Sequence, residues 1–299
     1  MLFAAIDIGS NAARLLFANV FEGQGRVRPD KASLLRVPIR LGLDVFETGV
    51  IGPKRVEMLM DTMMAFRLLI GVYQPLSIAA CATAAMREAE NGQELLRTIV
   101  KKTGIPLKII DGIEEARIIS SFNAMMIKNE EARHHLFVDV GGGSTELTLM
   151  SGADFEVSGS FRIGTIRLLQ QDVEKTEWER LQNWLKYHTR GIEGMRLVGS
   201  GGNINKLTKL YGDYSQNTLS LPQLSAGEAA LKAMSLAERI SVLGLRPDRA
   251  DVILPAARIY RKTMKWSGVE EIFAPKIGLV DGLVLMQYAE WKQQSDSQS

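Results

Sequence analysis

The chain has 299 residues, of which 46% are hydrophobic and 23% charged, a length for about two domains and the balance of a globular protein with a buried core. A net charge of +2 makes no global demand for a nucleic acid polymer or a membrane. The single Cys81 excludes an internal disulfide and fits a reducing, cytoplasmic compartment.

No run of about 18 apolar residues suggests a transmembrane helix, and Asp7 interrupts the apolar start too early for a signal peptide. In chain order, strands are expected at Phe3–Ile8, Ala13–Phe21 and Leu34–Leu41, with Gly23 and Gly25 in the intervening turn. Pro53 suits the first position of a helix over 53–72, where Val56, Leu59, Met60, Met63, Met64 and Leu68 are expected to form a buried stripe. A strand at Leu76–Thr83, a helix over 92–103 and a strand at Pro106–Ile110 complete a mixed α/β first domain.

After a bridging helix from Asp111, strands are expected at 135–140, 145–150 and near 155–161, with two more at Met195–Val198 and Glu271–Phe273. Helices are expected at 176–189, 202–211, 225–243, 248–266 and 279–292, followed by a disordered tail, Gln293–Ser299. His134, His135 and His188 show no metal-ligand spacing, and the first two read as loop or strand-edge residues.

One motif occurs twice. Ala5-Ile6-Asp7-Ile8-Gly9-Ser10-Asn11 returns, 132 positions after Asp7, around Asp139 as Phe137-Val138-Asp139-Val140-Gly141-Gly142-Gly143-Ser144-Thr145. Each copy is an apolar strand with one Asp, a glycine turn carrying hydroxyl or amide side chains, and a second apolar strand. Glycine lets backbone N–H groups approach a ligand closely, and such groups form a nest for phosphate oxygens. An Asp beside it supplies a hard oxygen of the kind that joins Mg²⁺ to a phosphate. Two copies suggest duplicated domains facing each other across a cleft, and phosphate chemistry.

The helix opening at Asp111-Gly112-Ile113-Glu114-Glu115 fits a capping box, with Asp111 at the N-cap and Glu114 reaching back from N3. At about 100° per residue from Glu114, Ile118, Ile119, Phe122, Met125 and Met126 centre near 80°, and Glu115 lies at about 100°. Glu115 therefore projects from the inward face. Helix geometry alone leaves two readings open: a carboxylate with a task, or one that merely favours the positive end of the helix.

A third glycine-rich element, Gly199-Ser200-Gly201-Gly202, joins a strand to a helix and reads either as a tight turn or as a candidate nucleotide loop. No Gly-x₄-Gly-Lys-Ser/Thr occurs, which argues against P-loop chemistry. Arg40, Arg87 and Arg167 lie near strand ends or glycine turns, where a guanidinium binds phosphate well but where a solvated surface role is the commoner fate. Arg258–Lys265 reads as a solvated basic face, with a polyanion surface as the alternative.

With these motifs in order, the chain resembles the exopolyphosphatase / guanosine pentaphosphate phosphatase (Ppx/GppA) family. The landmarks are Asp7–Asn11, Arg40-Leu41-Gly42, Ala82–Arg87, Glu114-Glu115-Ala116-Arg117, Asp139–Leu147, Ile163–Leu168, Gly199–Gly202 and Arg249–Pro255. The resemblance implies an α/β fold of two duplicated actin-like, sugar kinase or Hsp70-type (ribonuclease H-like) domains. Their expected extents are 1–118 and 119–299, with the terminal helix packing back on the first.

By the same resemblance Glu115 is the catalytic base and Asp139 and Glu146 hold Mg²⁺ (or Mn²⁺). Gly9, Ser10, Asn11, Arg87, Gly141, Gly142, Gly143, Ser144 and Thr145 bind phosphate. The implied activity is release of a terminal phosphate from polyphosphate or guanosine pentaphosphate, in a protein for which a homodimer is plausible. The alternatives from other classes are a non-catalytic sensor of guanosine tetraphosphate or polyphosphate, and a small-molecule kinase. The chain departs from the family pattern at Gly278-Leu279-Val280-Asp281-Gly282, where Val280 replaces the usual arginine, which removes one possible phosphate contact and bears on substrate choice. It resembles the short form, for which distributive rather than processive action on long polyphosphate is expected.

Overall fold

A computed structural model describes residues 1–23, 26–126, 133–152 and 154–296. The first compact unit comprises Met1–Phe122 with Leu279–Ser299, and the second Asn123–Gly278. In the first, chain order runs β1 (Leu2–Ile8), β2 (Ala13–Gly23), β3 (Arg26–Val37), α1 (Gly42–Thr48), α2 (Pro53–Tyr73), β4 (Ile78–Ala82), α3 (Ala84–Glu88), α4 (Gly92–Thr103), β5 (Leu107–Ile109) and α5 (Gly112–Met126).

The second contains β6 (His134–Val140), β7 (Thr145–Ser151), β8 (Asp154–Phe161), α6 (Thr165–Leu169), α7 (Lys175–His188), β9 (Arg196–Ser200), α8 (Gly202–Tyr211) and β10 (Thr218–Ser220). It continues with α9 (Leu221–Ala233), α10 (Leu236–Ser241), α11 (Pro247–Ala250), α12 (Ile253–Ser267) and β11 (Glu271–Phe273). The last element, α13 (Leu279–Asp296), belongs to the first unit.

The two sheets share one topology. The first has the order β3-β2-β1-β4-β5 and the second β8-β7-β6-β9-β11, extended by β10. In each, an antiparallel meander is followed by two strands parallel to its first. Even the irregularities repeat: register shifts fall at Phe17/Ala18 and at Leu149/Met150, the same 132-residue offset as the Asp–Gly motif. A bulge re-aims a strand, so its recurrence marks two copies of one design.

Side chains alternate across each strand. On β1, Ala4, Ile6 and Ile8 enter one core with Leu59, Met63 and Phe66 of α2, whereas Phe3 and Ala5 enter another with Ile118 and Ile119 of α5 and Leu283 and Val284 of α13. Burial on both faces explains why the strand reads as a continuous apolar run. On β6, Leu136, Val138 and Val140 likewise face the core completed by α7, α8, α9 and α12. Among the described residues no helix is long and apolar enough to cross a membrane.

Several expectations need correction. The α2 core face is Leu59, Thr62, Met63, Phe66 and Ile70, whereas Met64 and Leu68 are exposed. Apolar residues occur on every side of the helix, the exposed one included, so its methionines did not identify the inward side. The third strand starts earlier and ends at Val37, before Arg40, whose φ of 60° is incompatible with a strand. The helix expected over 225–243 is two, α9 and α10, because Ser235 forms a capping box with Glu238. His135 is buried within β6 rather than at a strand edge. Of the expected disordered tail, Gln293–Asp296 continues α13, while residues 297–299 lie outside the described residues, as does Gly25.

Candidate phosphate and metal site

The two glycine turns close in the same way. Gly9 N–H donates to the Ala12 carbonyl (3.1 Å), and Gly141 N–H donates to the Ser144 carbonyl (2.9 Å), equivalent atoms 132 positions apart. In the second turn the carbonyls are then engaged one after another. Gly141 O accepts from Thr165 N–H (3.0 Å), and Gly142 O from Ile166 N–H (2.9 Å). Gly143 O accepts from Arg167 Nε (2.7 Å).

There is no cis peptide bond among the described residues, and in a planar trans peptide the N–H of the next residue points opposite to the carbonyl. Holding three successive carbonyls on one side therefore turns the N–H groups of Gly142, Gly143 and Ser144 to the other. That converging row is the donor arrangement of an anion nest. Only glycine suits position 164, where a Cβ would come within 2.2 Å of the Gly142 carbonyl oxygen. Thr145 Oγ1 donates to the Ile163 carbonyl (2.6 Å), fixing the start of β7. In the first turn, Ser10 O accepts from Gly42 N–H (2.9 Å) and Asn11 O from Arg40 N–H (3.1 Å), so the N–H groups of Asn11 and Ala12 are aimed in the same manner.

The acids beside the turns differ between copies. Asp7 lies opposite Arg14 in the β1–β2 register, and Arg14 Nη1 reaches its Oδ2 at 2.5 Å. Asp139 lies opposite Glu146 in the β6–β7 register, the same seven-residue separation. Directly opposed side chains share a face, and like charges there repel. A carboxylate oxygen of Asp139 lies within 4.8 Å of one of Glu146.

Hydroxyls orient both acids. Ser200 Oγ donates to Asp139 Oδ1 (2.6 Å) and Ser160 Oγ to Glu146 Oε1 (3.0 Å). Two buried or half-buried anions with oriented oxygens suit a hard divalent cation such as Mg²⁺. The first copy, already neutralised by Arg14, offers no equivalent pair. Burial raises the Asp7 pKa above its ordinary value, and Arg14 opposes the rise.

The third glycine element is wired to Asp139. Ser200 holds the carboxylate, a Cβ on Gly201 (φ 92°) would stand 3.1 Å from Asp139 Oδ1, and one on Gly199 would strike Ile272. Gly202 approaches Arg249 as closely, with a Cβ 2.7 Å from its Nη2. Tyr260 OH donates to the Ser200 carbonyl (2.9 Å). Its pKa is pushed well up, first by burial and then by the Asp139 charge.

In the first unit Glu115 is buried, while Glu114 and Arg117 are exposed, in keeping with the helical wheel. Ile118 and Ile119 share its inward face, while the side chains of Phe122, Met125 and Met126 lie outside the described residues. Asp111 Oδ1 caps the helix by accepting from Ile113 N–H (2.9 Å) and Glu114 N–H (2.8 Å). Cys81, across from Asp7 in the register, has its thiol pKa raised well up by burial and then by Asp7, Glu115 and Glu114. Arg87 Nη1 donates to the Ile110 carbonyl (2.8 Å), next to the Asp111 cap.

Sequence reasoning missed Arg14, Ser160 and Gly164, and it misjudged Arg167. Arg167 is 1% exposed and pairs with Asp172. It is a clamp on the glycine turn rather than a surface group. On the basic stretch of α12, Arg261 pairs with Glu228, and Lys262 lies over the rings of Trp178 (4.2 Å) and Trp266 (4.9 Å).

Residues 33–289 match the sequence pattern of the Ppx/GppA phosphatase family. A bifunctional 3-dehydroquinate synthase/phosphatase of Fusobacterium nucleatum is 25% identical over 95% of this chain, which spans 46% of that protein's length. Exopolyphosphatase 1 of Mycobacterium leprae is 24% identical, over 95% of this chain and 89% of the relative. Among solved structures, an exopolyphosphatase from Cytophaga hutchinsonii superposes with a TM-score of 0.82 at 22% identity, over 96% of this chain and 97% of the other. A Ppx/GppA family member from Aquifex aeolicus gives a TM-score of 0.76 at 24% identity, over 97% and 98% of the two chains. The fold is therefore the two-domain α/β fold of those proteins, and the chain belongs to the Ppx/GppA phosphatase family.

Proposed function

We propose that this member of the Ppx/GppA phosphatase family is a divalent-cation-dependent phosphohydrolase. It releases the terminal phosphate of inorganic polyphosphate or guanosine pentaphosphate. The observation that carries this reading is the row of N–H groups at Gly142, Gly143 and Ser144, beginning three residues after Asp139, which itself faces Glu146 across the strand pair. Such donors hold a terminal phosphate in line and stabilise charge that develops on its oxygens. Asn11 and Ala12 N–H, with Ser10, provide a second set from the first copy of the motif.

Asp139 and Glu146 would hold Mg²⁺ or Mn²⁺, with Ser200 and Ser160 fixing their oxygens. The ion, when bound, supplies neutralisation of negative charge on the phosphoryl group. Glu115 is the proposed base: it orients the attacking water and takes its proton as the water oxygen bonds to phosphorus. The bond to the bridging oxygen breaks, and the shortened polyphosphate or guanosine tetraphosphate leaves with that electron pair. Arg87, tied to the Ile110 carbonyl, contributes positive charge near the Glu115 helix. The Gly199–Gly202 element contributes chiefly by holding Asp139.

The test is phosphate release from tripolyphosphate, long-chain polyphosphate and guanosine pentaphosphate, each with Mg²⁺ and with excess chelator. The reading requires release from at least one substrate, dependent on the cation. ADP formation from ATP that depends on an added acceptor, without phosphate release, would instead identify a kinase.

A further inference from the structure

Resting on that reading, we infer that Gly282 of α13 is a positioning residue for Glu115. The Gly278–Gly282 segment departs from the family at Val280, and its structural role is now visible. Val280 is buried in the core shared by β1, β2, α5 and α13. Asp281, also buried, takes an ion pair from Lys31 of β3 at 2.8 Å. Farther along α13, Gln287 Nε2 donates to the Ala4 carbonyl (3.0 Å) and Gln287 Oε1 accepts from Ser77 Oγ (2.5 Å). The helix is thereby fixed to β1 and to the entry of β4.

Gly282 is the point where this anchored helix meets α5. A Cβ built there would lie 2.3 Å from the Ile118 carbonyl oxygen, 2.9 Å from its carbonyl carbon and 2.8 Å from its Cγ2. The two helices thus touch backbone to backbone. Ile118 follows Glu115 by three residues, so the two share a face one turn apart. Any displacement of α5 at Ile118 moves the Glu115 carboxylate with it.

An added methyl must move about 1 Å to reach ordinary van der Waals distance, because van der Waals contact begins near 3.4 Å and close-packed interiors transmit strain. A displacement of about 1 Å can lower a catalytic rate by about 10²-fold. Asp139, Glu146 and the Gly142–Ser144 donors belong to the other unit, so the contact of α13 with Ile118 acts on the base and not on those ligands.

The experiment compares wild type, Glu115→Gln, Gly282→Ala, Val280→Ala and the double variant Ile118→Ala/Gly282→Ala on tripolyphosphate, with circular-dichroism melts of each. Wild-type activity that Glu115→Gln abolishes establishes the underlying reading. If the wild type releases no phosphate from any substrate, the reading fails before the positioning claim is reached.

Given an active wild type, Gly282→Ala should lower kcat at least tenfold. KM and the Mg²⁺ concentration for half-maximal rate should stay within about threefold of wild type. Val280→Ala should lower the melting temperature yet keep kcat within about threefold, because it opens a cavity without touching the Ile118 carbonyl. The double variant loses the Cγ2 contact but keeps the Ile118 carbonyl, which the new methyl meets first, so its kcat should stay within about threefold of that of Gly282→Ala. Unchanged kcat in Gly282→Ala would overturn the inference, as would a parallel loss of kcat and stability in Val280→Ala. Failure of both Gly282→Ala and the double variant to fold would also overturn it, since the close approach would then serve folding alone.

Discussion

Replacing Arg167 by Met tests how the phosphate-binding turn is built. Met fills much of the same volume, so the change removes the guanidinium without opening a large cavity. Arg167 is 1% exposed, and its Nε donates to the Gly143 carbonyl at 2.7 Å. Asp172, its ion-pair partner, has a side chain 43% exposed and can be hydrated once the arginine is gone. The principal loss is therefore at Gly143, a buried residue whose carbonyl would be left without its donor, at a cost of about 1–3 kcal/mol.

For a unit of this size the melting temperature should fall by roughly 2–12 °C. The Gly143 peptide also sets the direction of the Ser144 N–H. A misdirected hydrogen bond to a charged group forfeits about 1.5–3 kcal/mol, which corresponds to about a 10- to 100-fold fall in kcat/KM. Melts followed by circular dichroism, beside Michaelis curves on tripolyphosphate, measure both. Arg167→Met with a lowered melting temperature but unchanged kcat/KM would show that the turn keeps its donor row without the clamp, and the peptide-orientation argument would be refuted.

Glu115→Gln should reduce turnover by at least ~10²-fold, the usual loss of general-base assistance, whereas Glu114→Gln, on the exposed side of α5, should keep turnover within a few-fold; equal losses in phosphate-release assays would remove the distinction. Glu146→Gln removes a like-charge opposition across β6–β7, so without divalent ions the variant should be as stable as wild type or more stable by up to about 1 kcal/mol, read from melts. Added Mg²⁺ should then stabilise wild type, by about 2.7 kcal/mol at a hundred times its dissociation constant, and leave the variant nearly unmoved. For Asp7, burial raises the folded pKa above the ordinary 3.8, so the unfolded chain ionises first as pH rises. Wild type then loses stability from about pH 3.8 up through the folded pKa. Asp7→Asn, which does not titrate, should gain on wild type across that window in denaturant titrations, and a shrinking difference would contradict the sign.

The duplicated strand–turn–strand was legible because glycine, Asp and apolar alternation leave marks in the sequence, and the 132-residue offset later recurs in the bulges. Glu115 could be separated from Glu114 because a helix turns angle into face. The asymmetry between copies was written seven residues after each Asp, as Arg14 and Glu146. It has meaning only once the hairpin register sets those residues opposite Asp7 and Asp139. Arg167 was misjudged because arginines are seldom fully buried, and only the neighbouring carbonyl explains this one.

The stripe on α2 failed for a different reason. Met64 and Leu68 are as apolar as Met63 and Phe66, so composition could not say which side meets the sheet. Short elements such as α1 and α6 have too few turns for a periodic signal. The break between α9 and α10, by contrast, is legible in Ser235 and Glu238, a capping pair that lies inside the expected helix.

Hydrolysis itself is tested most directly by running the reaction in water enriched in ¹⁸O and examining the released phosphate by mass spectrometry. Water attack on the terminal phosphorus, assisted by Glu115, predicts one solvent-derived oxygen in each phosphate released from polyphosphate or guanosine pentaphosphate. It also predicts no such product from Glu115→Gln on the same time scale. Phosphate released without solvent label, or equal labelled release from Glu115→Gln, would contradict the account.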